Sequence, residues 1–170
     1  MKPRFAIGNS TFSSLREQGS HFVDKSMLIT DVVRNHSQVL LLPRPRRFGK
    51  TLAMTMLQSW FTPGHDNSAL FSDLAVWHAG EDVRARFGRH PVIFLTFKDV
   101  KKSDWPRCRN DIADAIGRFC GTIVNDMARA NLDDVDAQRF ARLRAATATE
   151  KELQTALLDL SAWLHRSSGE

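Results

Sequence analysis

The chain has 170 residues, of which 42% are hydrophobic and 25% charged, and a formal net charge of +5. This composition excludes a disordered or fibrous chain, and the length suits one globular domain with a core of its own. Its longest apolar runs reach only about half a dozen residues, and none follows the basic start at residues 1–5, so neither a membrane span nor a signal peptide is expected.

Cys108 and Cys120 lie 12 positions apart on one predicted helix. That spacing separates them by about 18 Å, too far for a disulfide, so reduced thiols in a cytoplasmic protein are the expectation. The positive balance suits an anionic partner, either nucleotide phosphate or nucleic acid, without choosing between them.

Residues 1–20 carry turn formers such as Gly8, Asn9 and Gly19 and read as a lead-in with little regular structure. A helix follows over about residues 26–35, with Ser26 as its N-cap and Met27, Leu28, Ile29, Val32 and Val33 on its buried face. Residues 39–42 are uniformly apolar, the pattern of a strand buried on both faces of a parallel sheet. A basic turn, Gly49-Lys50-Thr51 and an amphipathic helix over residues 50–61 come next, and Thr62-Pro63-Gly64 stops that helix.

Strand, turn, Gly-Lys-Thr and helix form the context of a phosphate-binding P-loop. A helix start offers unpaired N–H groups and the positive end of a dipole. The expected cradle comprises Arg46, Arg47, Phe48, Gly49, Lys50, Thr51 and Leu52, since Pro43 and Pro45 have no N–H to give. Gly49 lets the backbone approach, Lys50 reaches the β- and γ-phosphates, and the Thr51 hydroxyl is offered to Mg²⁺. The guanidinium of Arg46 or Arg47 either adds charge near the γ-phosphate or is solvated and paired with nearby acids. The first position of the pattern, ordinarily glycine, is Arg44.

Further on, residues 68–77 read as a short helix and loop, and residues 81–87 as a helical turn. Residues 91–97, Pro-Val-Ile-Phe-Leu-Thr-Phe, are the clearest strand signal. Two buried strands separated by helical segments imply a βαβ unit. Asp99 sits in the loop after the second strand and is read either as a Mg²⁺-linked acid or as a surface acid, with Lys98 displacing it from the strand end. From Asp104 onward the pattern is helical. Ile112, Ile116, Phe119, Ile123 and Met127 make one stripe on a long helix. A second helix spans about residues 133–146. Thr149 and Glu152 form a capping box before a third stripe, Leu153, Leu157, Leu160 and Leu164.

The segment Arg44-Pro45-Arg46-Arg47-Phe48-Gly49-Lys50-Thr51, with Phe22-Val23-Asp24-Lys25-Ser26 upstream, resembles the AAA-ATPase-like family of bacterial proteins, whose own P-loop is usually written Arg-Pro-Arg-Arg-Phe-Gly-Lys-Ser/Thr. The distinct motifs run from about Ile7 to about Lys102. The resemblance implies an α/β fold, namely a partial P-loop NTPase core of ASCE type with a parallel sheet, followed here by a helical C-terminal half. It implies ATP and Mg²⁺ as ligands. It also implies Asp24 and Lys25 near the base of the nucleotide, where the residues alone read as a helix-capping carboxylate and a surface lysine. Fuller members carry a PD-(D/E)XK nuclease-like domain, and no Glu-x-Lys triplet occurs in this chain.

The Walker B strand of such a family would come after a helix like residues 150–166, and the sequence stops at Glu170. The expectation is therefore a single, incomplete P-loop domain over residues 1–170, a truncated form whose sheet is completed by another protein chain or by an oligomer. Nucleotide binding is the leading function, and ATP hydrolysis is left open because no Walker B acid is legible. The alternatives are a basic module for nucleic acid or protein, using Arg44, Arg46, Arg47, Lys98, Lys101 and Lys102, or a non-functional remnant.

Overall fold

The computed structural model describes residues 11–43, 45 and 48–168. These fall into two compact units, within Met1–Val92 and Ile93–Glu170.

Among the described residues the first unit has five α-helices: α1 (Phe12–Glu17), α2 (Met27–Arg34), α3 (Lys50–Phe61), α4 (Ser68–Phe71) and α5 (Glu81–Arg84), with a 3₁₀ turn at Ala75–His78. Helix α3 is the axis. Its C-terminal half carries Met56 and Trp60, both fully buried, and Trp60 stands edge-on to Phe71 and Phe87 at centroid distances of 5.0 and 4.9 Å. Edge-to-face rings of this kind add specific attraction to a large buried area. The far end of α3 is tied down as well. Gly88 N–H donates to the Trp60 carbonyl at 2.8 Å and His90 N–H to the Phe61 carbonyl at 2.9 Å, satisfying carbonyls that a helix end leaves without partners. Helix α1 lies on α3 through the Phe12 N–H, which donates to Thr55 Oγ1 at 3.1 Å.

The second unit contains α6 (Trp105–Thr122), α7 (Val124–Arg129), α8 (Asp134–Arg144) and α9 (Glu150–Ser168). Asp104 caps α6 by accepting the Arg107 N–H at 3.0 Å, and Asp133 caps α8 by accepting the Asp136 N–H at 2.8 Å. The Thr149–Glu152 capping box forms in both directions, at 2.8 and 3.3 Å. The core joins Ile116, Phe119, Cys120, Ile123, Met127, Leu143, Leu160 and Trp163. A Cβ on Gly117 would stand 3.0 Å from the Arg144 carbonyl oxygen, so α6 and α8 approach this closely only because that position is glycine.

The expected parallel sheet is absent from the described residues, which contain helices and loops and no strand. The α/β, ASCE-like core is thus corrected to an all-helical arrangement. A strand exists only when its N–H and C=O groups meet a neighbouring strand, and local β-propensity cannot supply that neighbour. Nor is the first run buried on two faces. Val39 and Leu41 are 81% and 82% exposed, and only Leu42 packs against the first unit's core. In the second run Ile93 and Leu95 pack against the second unit's helices, while Phe97 is 54% exposed. Leu42, Ile93 and Leu95 pack on helices, and Val39, Leu41 and Phe97 stay exposed. The expected helical C-terminal half is present.

The single long helix expected from residue 104 is also broken, between α6 and α7 at Ile123, which has φ −109° and ψ 16°. The Thr122 hydroxyl donates to the Phe119 carbonyl at 2.7 Å, a side-chain bond that competes with the helical ladder.

Candidate functional site

Helix α3 begins at Gly49, which has φ 71° and ψ 24°. This left-handed conformation suits glycine and strains any residue with a Cβ. The Ala53 N–H donates to the Gly49 carbonyl at 2.9 Å, closing the first helical turn. A glycine has no side chain with which to cap, so the N–H groups at the start of the helix are not used by the N-cap residue. Among the described residues, a Cβ placed on Gly49 would meet nothing within 4 Å. Phe48, Lys50 and Thr51 are exposed, and Leu52 is half-buried against the core, leaving its backbone as the part of it that can serve a ligand.

Two clefts flank this helix start. One, of about 330 Å³, is bounded by Phe48, Gly49 and Leu52 on the α3 side and by His21, Phe22, Val23 and Lys25 on the segment before α2. The other, of about 360 Å³, is lined by Lys50 with Val32, Leu40, Leu42, Ala53, Met54 and Leu57. The structure therefore brings Gly49, Phe48 and Leu52 to one cleft together with Lys25, and places Lys50 along its neighbour. Both volumes lie at the small end of the range for ligand pockets.

Asp24 takes a structural role. One carboxylate oxygen accepts the Ser26 N–H and the other the Ala75 N–H, each at 2.8 Å. Burial alone would raise its pKa, but these hydrogen bonds and the nearby Arg16 outweigh it and hold the carboxyl below the usual carboxylate range. Of the two upstream residues the resemblance placed near the base, Lys25 borders the cleft and Asp24 anchors the loop that carries it. The Ser26 hydroxyl does not cap α2. It is fully buried and accepts the Val76 N–H at 3.1 Å.

Leu15, His21, Phe22 and Val23 were not legible as cleft residues, although the spacing Asp24-x-Ser26 signals the turn that presents them. Arg44, Arg46 and Arg47 lie outside the described residues. Asp99 is exposed in a turn of the second unit, as are Lys98, Lys101 and Lys102 in the same loop region. Among the described residues no group of three His, Cys, Asp or Glu side chains could hold a metal ion, and no helix is long and apolar enough to cross a membrane. Cys108 and Cys120 are free, and burial pushes the Cys120 thiol up to about 11.

A family profile described as "Predicted AAA-ATPase" matches residues 6–166 of the chain. No curated protein and no solved structure matches it.

Proposed function

Because the chain belongs to the predicted AAA-ATPase family, we propose that it binds ATP with Mg²⁺ at the start of α3. The observation that carries this reading is Gly49, held left-handed at the N-terminus of a 12-residue helix with nothing among the described residues within 4 Å of where a side chain would project. A phosphate needs close access to backbone N–H groups and the positive helix end, and a β-carbon would obstruct both.

In this reading the N–H groups of Phe48, Gly49, Lys50, Thr51 and Leu52 take the phosphates, with Arg46 and Arg47 directly before them in the sequence. Lys50, on the edge of the neighbouring cleft, supplies positive charge. The exposed Thr51 hydroxyl is the protein's own ligand for Mg²⁺. The remaining Mg²⁺ coordination falls to phosphate oxygens and water, which is the usual way this small cation is held. Bound Mg²⁺ would neutralise phosphate charge. The apolar walls contributed by Phe22, Val23 and Leu52 suit the less polar part of the nucleotide.

Titration of a fluorescent ATP analogue in Mg²⁺, followed by anisotropy, tests this. Saturable binding displaced by ATP is expected, weakened at least tenfold in Lys50→Ala and in Gly49→Val. Tight binding that both variants retain would place the nucleotide elsewhere.

A further inference from the structure

The second unit presents a surface of its own. Between residues 96 and 107 the chain reads Thr-Phe-Lys-Asp-Val-Lys-Lys-Ser-Asp-Trp-Pro-Arg, and its large aromatic side chains face solvent. Phe97 is 54% exposed and Trp105 57%. Lys98, Lys101, Lys102 and Arg107 are exposed among them. One exposed aromatic is ordinary on a protein surface, but here two large ones stand exposed within a single short stretch that also carries four cations.

The segment is ordered by its own hydrogen bonds. The Val100 N–H donates to the Phe97 carbonyl at 3.1 Å, closing a turn, and the Lys98 N–H donates to Thr96 Oγ1 at 3.4 Å. At the other end Asp104 caps α6, and Pro106 stiffens the first turn of that helix directly after Trp105. Two of the acids in the stretch do little to cancel its charge for a ligand. Asp104 is engaged as the cap and stands 3.6 Å from Arg107 in a solvent-exposed pair, which a phosphate can displace at small cost. Asp99 alone opposes the three lysines in the turn.

We propose that this loop is a binding platform for single-stranded nucleic acid, with Trp105 and Phe97 stacking on bases and Lys98, Lys101, Lys102 and Arg107 meeting the phosphates. The combination discriminates among anionic partners. Lysines alone would serve any polyanion. Flat, exposed aromatic rings interleaved with cations match unpaired bases on a charged backbone, whose π-faces a duplex keeps stacked inside. The proposal stands whether or not ATP binds at α3.

The test is fluorescence anisotropy of a labelled oligothymidine of about 20 nucleotides with the full chain. Saturable binding is expected, stronger than for a duplex of equal length. Its affinity should fall on the order of 50-fold between roughly 50 and 200 mM salt if about four phosphates are neutralised. Trp105→Ala should weaken it about tenfold, and Trp105→Phe much less, because stacking on one base has about that worth. Lys101→Ala combined with Lys102→Ala should flatten the salt dependence. All these positions are exposed, and circular dichroism of each variant checks that it remains folded. The proposal is overturned if Trp105→Ala binds as the unaltered chain does, if duplex is preferred, if polyglutamate competes as well as the oligonucleotide, or if no binding is detected at low salt.

Discussion

The Asp24 carboxylate accepts the backbone N–H of Ala75 at 2.8 Å across 51 positions of sequence. This bond fastens the segment that borders the Gly49 cleft to the 3₁₀ turn at Ala75–His78, and the adjacent Ser26–Val76 bond repeats the connection one residue further on. The wall of the proposed nucleotide site is thus held by a structural carboxylate, while Lys25 next to it is left to face the cleft.

Replacing that carboxylate gives the first prediction. Asp24→Ala removes both acceptors and should destabilise the first unit by about 1 kcal/mol, a modest figure because the group is exposed. Its pKa is lowered in the fold, so its contribution is fully present above the ordinary carboxylate pKa and is lost as pH falls through the folded value. Urea melts followed by circular dichroism should therefore show a deficit at neutral pH that shrinks at about pH 3. A deficit of equal size at both would mean that the charge of Asp24 contributes nothing.

Trp60 gives the second. It is fully buried and touches Phe71, Trp77 and Phe87 edge-on. Trp60→Ala should cost about 3–5 kcal/mol, enough to unfold a marginal unit. Trp60→Phe should cost clearly less. It keeps a ring in place, and the indole N–H it discards has no hydrogen-bond partner among the described residues. Equal losses in the two variants, measured by denaturant melts, would contradict an edge-on aromatic core.

In the second unit, α8 and α9 are joined by arginine–acid pairs: Arg139 with Asp159 at 2.8 Å, Arg142 with Glu152 at 2.9 Å, and Arg166 with Asp136 at 2.6 Å. The Arg142 guanidinium, with help from the Thr149 N–H, holds the Glu152 carboxyl down at about 2. A depressed carboxylate stabilises the fold at pH above its unfolded value, about 4.3. That stability then drains away as pH falls toward 2. Glu152→Gln should lower the melting temperature at neutral pH and leave a smaller difference near pH 2. A difference that grows on acidification would reverse the assigned sign.

Most helices were legible because their signals are local, but α1 (Phe12–Glu17) lies in a stretch read as having little regular structure. Residues 50–61 carry a start at Gly49-Lys50 and a stop at Thr62-Pro63-Gly64, and α3 spans Lys50–Phe61. The capping box at Thr149 could be read for the same reason. Strands at residues 39–42 and 91–97 were not there to be found. Val39 and Ile93 have strand-like propensity, but pairing is decided by distant backbone, which a local reading does not contain. The cleft fell between these cases. Gly49 could be identified from its motif, whereas Leu15 and His21 reach the same cavity only through the packing of α1 on α3 and the turn at Asp24. Leu157 shows the remaining kind of error. It continued the leucine stripe on paper and is 47% exposed, because Ala156 and Trp163 define the buried face of α9.

The claim at the centre of this account is that the start of α3 grips a triphosphate, and a thermal melt with and without Mg-ATP measures it most directly. A ligand that binds only the native state stabilises it by RT ln(1 + [L]/Kd), about 2.7 kcal/mol at a hundredfold excess over Kd. The unaltered chain should melt several degrees higher with Mg-ATP, the same concentration of Mg-AMP should have little effect, and Lys50→Ala should lose the shift. An unchanged melting temperature at saturating Mg-ATP, or an equal shift in Lys50→Ala, would contradict it.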